Sequence, residues 1–211
     1  MKSHEFILKE TQLDELISIR PQLKKKIDPI QPLGAPGKRG GDWYDILIGY
    51  GFSPIGGGAF GTVWGHPKFP YVLKIFKSND DAYKSWVKVC MNNSDNPHFP
   101  KFVSTKVFSI TPTVSAIRME KLSPYSSGDY MGFTTAINRL SISDIVNPNY
   151  EWLGAPGKPS QWDDYCTTHP LWIPALKITD EFITSYGYAK DIHGGNFMMR
   201  GDDIVITDPV V

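Results

Sequence analysis

The stretch Tyr188-Ala-Lys-Asp-Ile-His-Gly-Gly-Asn-Phe-Met-Met-Arg-Gly-Asp-Asp-Ile-Val-Ile-Thr-Asp208 decides how the rest of the chain is read. Asp191 and Asn196 stand five apart in a turn rich in small residues. Two short apolar runs follow, Phe197 to Met199 and Ile204 to Thr207, and the Arg200-Gly201-Asp202-Asp203 between them reads as a hairpin turn. The hairpin delivers Asp208 twelve residues after Asn196. A carboxylate, an amide oxygen and a second carboxylate gathered in this way suit Mg2+, which prefers hard oxygen ligands, and the proton of an attacking hydroxyl. The pattern points to phosphoryl transfer. In the competing reading Asp191 and Asn196 are turn formers only, since both side chains bond readily to nearby backbone. A second motif upstream has to decide.

Phe52-Ser-Pro-Ile-Gly-Gly-Gly-Ala-Phe-Gly-Thr-Val-Trp64 fits Gly-x-Gly-x-x-Gly-x-Val, with Gly56, Gly58, Gly61 and Val63 in the required places. Glycine lets backbone N–H groups approach phosphate where a Cβ would intrude. A dinucleotide-binding turn uses the same letters, but a helix should follow its last glycine. Here Thr62-Val63-Trp64 and then Gly65 and Pro67 read as strand and turn, which favours a phosphate-covering hairpin; a purely structural glycine hairpin is the alternative. Eleven residues after Val63, Lys74 interrupts an apolar strand from Tyr71 to Phe76. A lysine buried in a strand needs an anionic partner, which a nucleotide's phosphates would supply. Lys77, at the strand's end, is the competing candidate. Ser78-Asn-Asp-Asp81 predicts a capping box opening a helix to about Met91, with Tyr83, Trp86, Val87 and Cys90 in helical period.

Composition narrows the classes. With 211 residues, 41% hydrophobic and 13% aromatic, the chain can bury a sizeable core as one domain or one two-lobed domain. Twenty-two basic residues balance twenty-two acidic ones, which argues against direct nucleic-acid binding driven by phosphate neutralisation. Cys90 and Cys166 lack metal-finger or paired spacing and suggest reduced thiols in a cytosol. No apolar run approaches the ~20 residues that span a bilayer, and Met1-Lys-Ser-His-Glu lacks a signal peptide's apolar core. Cytoplasmic residence without a membrane partner is therefore expected.

Along the chain, Thr11 to Ile27 has helical periodicity ahead of a solvated Lys24-Lys25-Lys26 run, and Pro29 to Gly41 has linker composition. Asp42 to Gly49 predicts a short helix. Lys101 to Phe108 and Val114 to Met119 read as antiparallel strands. Met131 to Leu140 looks helical, Pro148 to Asp164 is rich in Pro, Gly and Trp, and Pro174 opens a helix to about Tyr186. Tyr125, Trp152, Trp162 and Trp172 read as core or interface aromatics rather than ligand-stacking groups.

The order of these features resembles the protein kinase superfamily, in which a glycine hairpin, a strand lysine, an Asp-x-x-x-x-Asn loop and a further Asp succeed one another. The resemblance is closest to the early protein kinases of short-tailed lytic bacteriophages (Teseptimavirus-type), whose phrases Asp-x-His-x-Gly-Asn and Ile-Thr-Asp-Pro are similar to Asp191 to Asn196 and Ile206 to Pro209. It covers roughly Asp42 to the end of the chain. It implies a two-lobed α+β kinase-like fold: an extension and linker over residues 1–41, a five-stranded antiparallel N-lobe with one long helix over 42–120, and a truncated, mostly helical C-lobe over 121–211. It further implies ATP and Mg2+ as cofactors. Gly56, Gly58, Gly61 and Val63 would cover the nucleotide and Lys74 would grip its phosphates. Glu120 would lie where the interlobe hinge begins, Asp191 would be the catalytic base, and Asn196 with Asp208 would hold the metal. The implied activity is serine/threonine protein phosphorylation directed at host proteins.

Departures from the family pattern keep an alternative open. The helix after Lys74 carries no Glu in its third turn, leaving Asp80 or Asp81 as substitutes. The usual His-Arg-Asp is Ala189-Lys190-Asp191, the usual Asp-Phe-Gly is Asp208-Pro209-Val210, and the sequence stops three residues after Asp208, before any activation segment. The Asp-x-His-x-Gly-Asn phrase is also similar to small-molecule kinases of the aminoglycoside type, so the acceptor is not fixed. His193 either orients the loop or is a satisfied structural histidine. The alternative function is a pseudokinase-like protein that binds and modulates a host protein without phosphoryl transfer.

Overall fold

A computed structural model describes residues 42–58, 61–103, 107–109, 113–125 and 160–211. The helices expected at Thr11 to Ile27 and Met131 to Leu140, the linker Pro29 to Gly41 and Trp152 lie outside the described residues. The architecture is mixed α and β with antiparallel sheets. The chain divides into two compact units, Met1–Asp80 with Phe102–Lys121 and Asp81–Lys101 with Leu122–Val211.

The first unit begins with α1 (Asp42–Gly49), which ends as Phe52 N–H donates to the Leu47 carbonyl at 2.9 Å. A five-stranded sheet follows in the order β1-β2-β3-β5-β4. Its strands are β1 (Ser53–Gly57), β2 (Gly61–Gly65), β3 (Tyr71–Lys77), β4 (Phe108–Ser109) and β5 (Val114–Glu120). Because side chains alternate across a strand, each of the three central strands has two different faces. Trp64, Tyr71, Leu73, Ile75, Val114 and Ala116 fall on one and join Leu47 and Phe52 in a single core. Lys74 falls on the other, between Val63 of β2 and Ile117 of β5 in register. Arg118 is buried beneath rings, its guanidinium carbon 5.8 Å from the Tyr71 ring centre and 5.3 Å from that of Phe108, a geometry in which the ring faces attract the cation.

Two expectations need correction here. Among the described residues, the strand read from Lys101 to Phe108 is limited to Phe108–Ser109 and an isolated bridge from Phe102 to Met119. Ser78 does not cap the following helix: its hydroxyl lies 2.8 Å from that of Ser115 and its N–H donates to the Thr113 carbonyl. A neighbouring strand outcompetes the helix for that side chain.

In the second unit α2 (Asp81–Asn92) buries Ala82, Tyr83, Trp86, Val87 and Cys90, the i, i+3, i+4 spacing of one helix face. Trp86 meets Phe99 and Phe182 at ring-centre distances of 5.4 and 5.5 Å. The unit continues with β6 (Ser123–Pro124), α3 (Ser160–Thr168), α4 (Trp172–Tyr186), a single 3-10 turn (Gly194–Asn196), β7 (Phe197–Arg200) and β8 (Asp203–Ile206). Strands β6, β7 and β8 form one antiparallel sheet. α4 starts two residues before Pro174, which sits in the first turn, where its missing N–H would have no helical partner. It ends at Gly187, whose φ of 67° makes the left-handed cap. The β7–β8 hairpin turns at Gly201, φ 59°. α3 was not expected, and its residues lie at the end of the Pro- and Gly-rich stretch. Among the described residues no helix is long and apolar enough to cross a membrane.

The hairpin is held from below by His98, which is 0% exposed. Its Nδ1 lies 2.8 Å from the Ile204 carbonyl, its N–H donates to Asn96 Oδ1, and its carbonyl accepts from Ile206 N–H. Because a carbonyl only accepts, Nδ1 carries the proton. Burial pushes the His98 pKa below 6.5, against smaller upward pulls from the Ile204 hydrogen bond and Asp203. The folded chain therefore binds fewer protons here than the unfolded chain does. The stability His98 contributes is complete above its ordinary pKa of 6.5 and is lost as pH falls through that value towards the depressed one. Thermal melts between about pH 7.5 and about pH 5.5 should show a falling Tm, and His98→Gln should shrink the fall; an equal fall in the variant would place its source elsewhere.

Candidate functional site

Each unit carries part of the constellation read from the sequence. In the first, β1 and β2 form the hairpin predicted from the glycine pattern, pairing Gly56 with Val63 and Gly57 with Thr62, and Gly58 N–H donates to the Gly61 carbonyl at 2.9 Å. The three glycines differ in what fixes them. A Cβ on Gly61 would lie 2.7 Å from the Ile75 carbonyl oxygen, whereas one on Gly56 or Gly58 would meet nothing within 4 Å. Gly61 is thus required by the sheet. Among the described residues neither sterics nor a positive φ requires Gly56 or Gly58.

Lys74 is half-buried, less so than its apolar strand suggested, and stands directly across from Val63. Gly61, Val63 and Lys74 fall on the same side of the sheet. Glu120 pairs with Tyr71 at the end of β5, so its side chain belongs to the opposite face.

In the second unit the loop from Asp191 to Asn196 is closed on itself and tied to the segment carrying Asp208. Asn196 Nδ2 donates to the Asp191 carbonyl at 2.7 Å and to Asp191 Oδ2 at 3.0 Å. Asn196 N–H donates to the His193 carbonyl, and the Asn196 carbonyl accepts both Thr207 N–H at 2.9 Å and Thr207 Oγ1–H at 2.8 Å. On the other side, Asp191 N–H donates to the Pro209 carbonyl at 2.8 Å and Val211 N–H to that of Ala189 at 3.0 Å. Residues 189–191 and 209–211 thus run antiparallel. Proline has no N–H to give, but its carbonyl serves this contact. Trp86 Nε1–H donates to the Thr207 carbonyl at 3.2 Å, anchoring α2 to the same segment.

The chemistry of these groups follows from their hydrogen bonds. With both Nδ2 hydrogens on Asp191, the Asn196 amide directs its Oδ1 elsewhere, available to a hard cation. The Asp191 side chain is 33% exposed, accessible to an acceptor. Among the described residues no three His, Cys, Asp or Glu side chains cluster as a metal centre. Cys90, buried on α2, has its thiol pKa pushed up well above 9.0 by burial, with Asp208 adding to the rise. The inner face of α2 thus lies within electrostatic reach of Asp208, and α2 holds no carboxylate after Asp81. Of the aromatics singled out, Trp172 is fully buried and Tyr125 half-buried, 6.3 Å from the Phe197 ring. Sequence reasoning did not foresee the contacts of Thr207, Pro209 and Gly195, although the first two lie in the Ile206 to Pro209 phrase and the third in the doubled glycine Gly194-Gly195.

No family model matches the chain, and no curated protein sequence is similar to it. Among solved structures it is similar to the crystal structure of Rad53 1-466 in complex with AMP-PNP, with 19% identity and a TM-score of 0.38 over 80% of this chain and 42% of that one. This chain thus spans less than half the length of that protein's.

Proposed function

We propose that the protein is an ATP- and Mg2+-dependent phosphotransferase, a serine/threonine protein kinase of the type made early by short-tailed lytic phages, acting on host proteins in the cytosol. The observation that supports this reading most is the closed loop in which Asn196 spans to Asp191 by two hydrogen bonds while its carbonyl is held by Thr207, the residue before Asp208. A mere turn needs no side-chain clasp to a second segment that ends in a carboxylate. Gly56 and Gly58, with open space where a Cβ would be, and Lys74 would hold the phosphates; Asn196 Oδ1 and Asp208 would hold the metal. When bound, Mg2+-ATP supplies the phosphoryl group and neutralises its charge. Asp191 would take the proton of the acceptor hydroxyl while that hydroxyl's oxygen replaces ADP, the leaving group, on the γ-phosphorus. Positioning and charge, rather than covalent chemistry by the protein, supply the acceleration.

Ligand that binds only the folded state stabilises it by about 2.7 kcal/mol at a hundredfold excess over Kd, worth roughly 5–10 °C for a chain of this size. A thermal-shift titration with Mg2+-ATP should show that rise, and the rise should shrink when Mg2+ is chelated. Absence of any Mg2+-dependent shift, together with no heat in calorimetry, would remove the nucleotide role. A second reading, a binder that keeps the fold without transfer, is favoured by the lack of a carboxylate on α2 after Asp81.

A further inference from the structure

We infer that His193 is a positioning residue that holds the carboxylate of Asp191, an inference that rests on the phosphotransfer reading above. His193 precedes the 3-10 turn in extended conformation, φ −147° and ψ 167°, and its Nδ1 accepts from Gly195 N–H at 3.0 Å. Its Nε2 lies 3.5 Å from Asp191 Oδ1 and 3.2 Å from Asn196 Nδ2. These contacts leave one tautomer. A backbone N–H only donates, so Nδ1 must present its lone pair, and the proton of the neutral ring sits on Nε2. Both Nδ2 hydrogens of Asn196 are already on Asp191, and reversing the amide would set its oxygen against two acceptors, so the Asn196 contact is not a hydrogen bond. His193 Nε2 is left 3.5 Å from Asp191 Oδ1, the carboxylate oxygen that Asn196 does not hold. Asn196 holds Oδ2 by a hydrogen bond and His193 stands beside Oδ1, placed to donate Nε2–H to it as the site tightens around substrate. A 3.5 Å separation is long for a hydrogen bond, as catalytic contacts in ligand-free sites often are.

Gly195 is the second observation. A Cβ there would lie 2.8 Å from His193 Cε1 and 3.1 Å from Nδ1. The ring can tuck against the turn only because residue 195 has no side chain. The doubled glycine is thus tied to the imidazole.

The two ring nitrogens can be tested separately, because the Oδ1 of Asn falls near the place of Nδ1, while the Nε2 of Gln falls near that of the imidazole Nε2 and carries hydrogens. His193→Asn keeps the Gly195 cap and loses the contact to Asp191; His193→Gln does the reverse. Phosphate transfer from labelled ATP should fall about ten- to a hundredfold in kcat for H193N with the KM for ATP little changed, and H193Q should turn over at least about tenfold faster than H193N. Gly195→Ala should resemble H193N. Independently of activity, long-range 1H–15N spectra of the wild type should show His193 protonated at Nε2 alone. An Nδ1–H tautomer, or H193N as active as the wild type while H193Q is impaired, would overturn the role and leave the phosphotransfer reading standing. A wild type that transfers no phosphate overturns it through the reading on which it rests.

Discussion

Asp191→Asn is expected to lower turnover about 10²- to 10⁴-fold, the usual worth of a general base, while nucleotide affinity stays nearly constant. The substitution is close to isosteric. Residue 191 keeps its N–H on the Pro209 carbonyl, its carbonyl under Asn196 Nδ2, and one side-chain oxygen for the same donor. What disappears is the carboxylate's charge and the oxygen beside His193 Nε2, so a fall in kcat with Tm unchanged isolates the carboxylate. Asp208→Asn should behave differently. It removes the charged member of the proposed metal pair and should abolish Mg2+-dependent transfer and the Mg2+-dependent part of nucleotide binding. Steady-state kinetics on both variants, with Tm measured alongside, checks the pair. Full turnover in Asp191→Asn would reduce Asp191 to a structural clasp.

The parts legible in the sequence are those whose neighbours are close along the chain. Asp42–Gly49, the glycine hairpin, the strand Tyr71–Lys77 and the hairpin after Asn196 each declare themselves through local period, turn residues or glycine placement. So did the closeness of Asp191 and Asn196, since a turn of five residues cannot keep them far apart. What could not be read depends on partners distant in sequence. The Ser78 hydroxyl goes to Ser115, thirty-seven residues on, although its local spacing is that of a helix cap. β8 also relies on Tyr165, whose hydroxyl accepts Ile204 N–H at 2.7 Å, from a helix that begins inside the Pro-, Gly- and Trp-rich stretch. Gly56, Gly58 and Gly61 look equivalent as letters, yet the Ile75 carbonyl alone makes Gly61 a packing glycine. The pairing of 189–191 with 209–211 was equally hidden, because it uses the backbone carbonyl of residue 209, a group every residue type supplies.

Lys74→Ala separates an enzyme from a binder. Lys74 is flanked in register by Val63 and Ile117 and is half-buried on the face away from the first unit's core. That face is buried as well, carrying Val72, Phe76, Ile117 and Met119, so the lysine's stem stands among apolar neighbours. The cost to folding should be about 1–2 kcal/mol, read as a drop in Tm of a few degrees. For phosphate chemistry the loss is larger, since one preorganised charge aimed at a phosphoryl group is typically worth about 10²–10³ in rate. The expected outcome is a folded variant whose kcat/KM with ATP falls by that factor and whose Mg2+-ATP thermal shift shrinks. Gly58→Ala, placed where a Cβ meets open space, should likewise fold normally and weaken nucleotide binding, whereas Gly61→Ala should lower Tm because its Cβ collides with the Ile75 carbonyl. If the protein acts on the host by binding alone, a folded Lys74→Ala protein will retain its full effect on cells. That result, with Asp191→Asn equally effective, would replace the kinase by the binder.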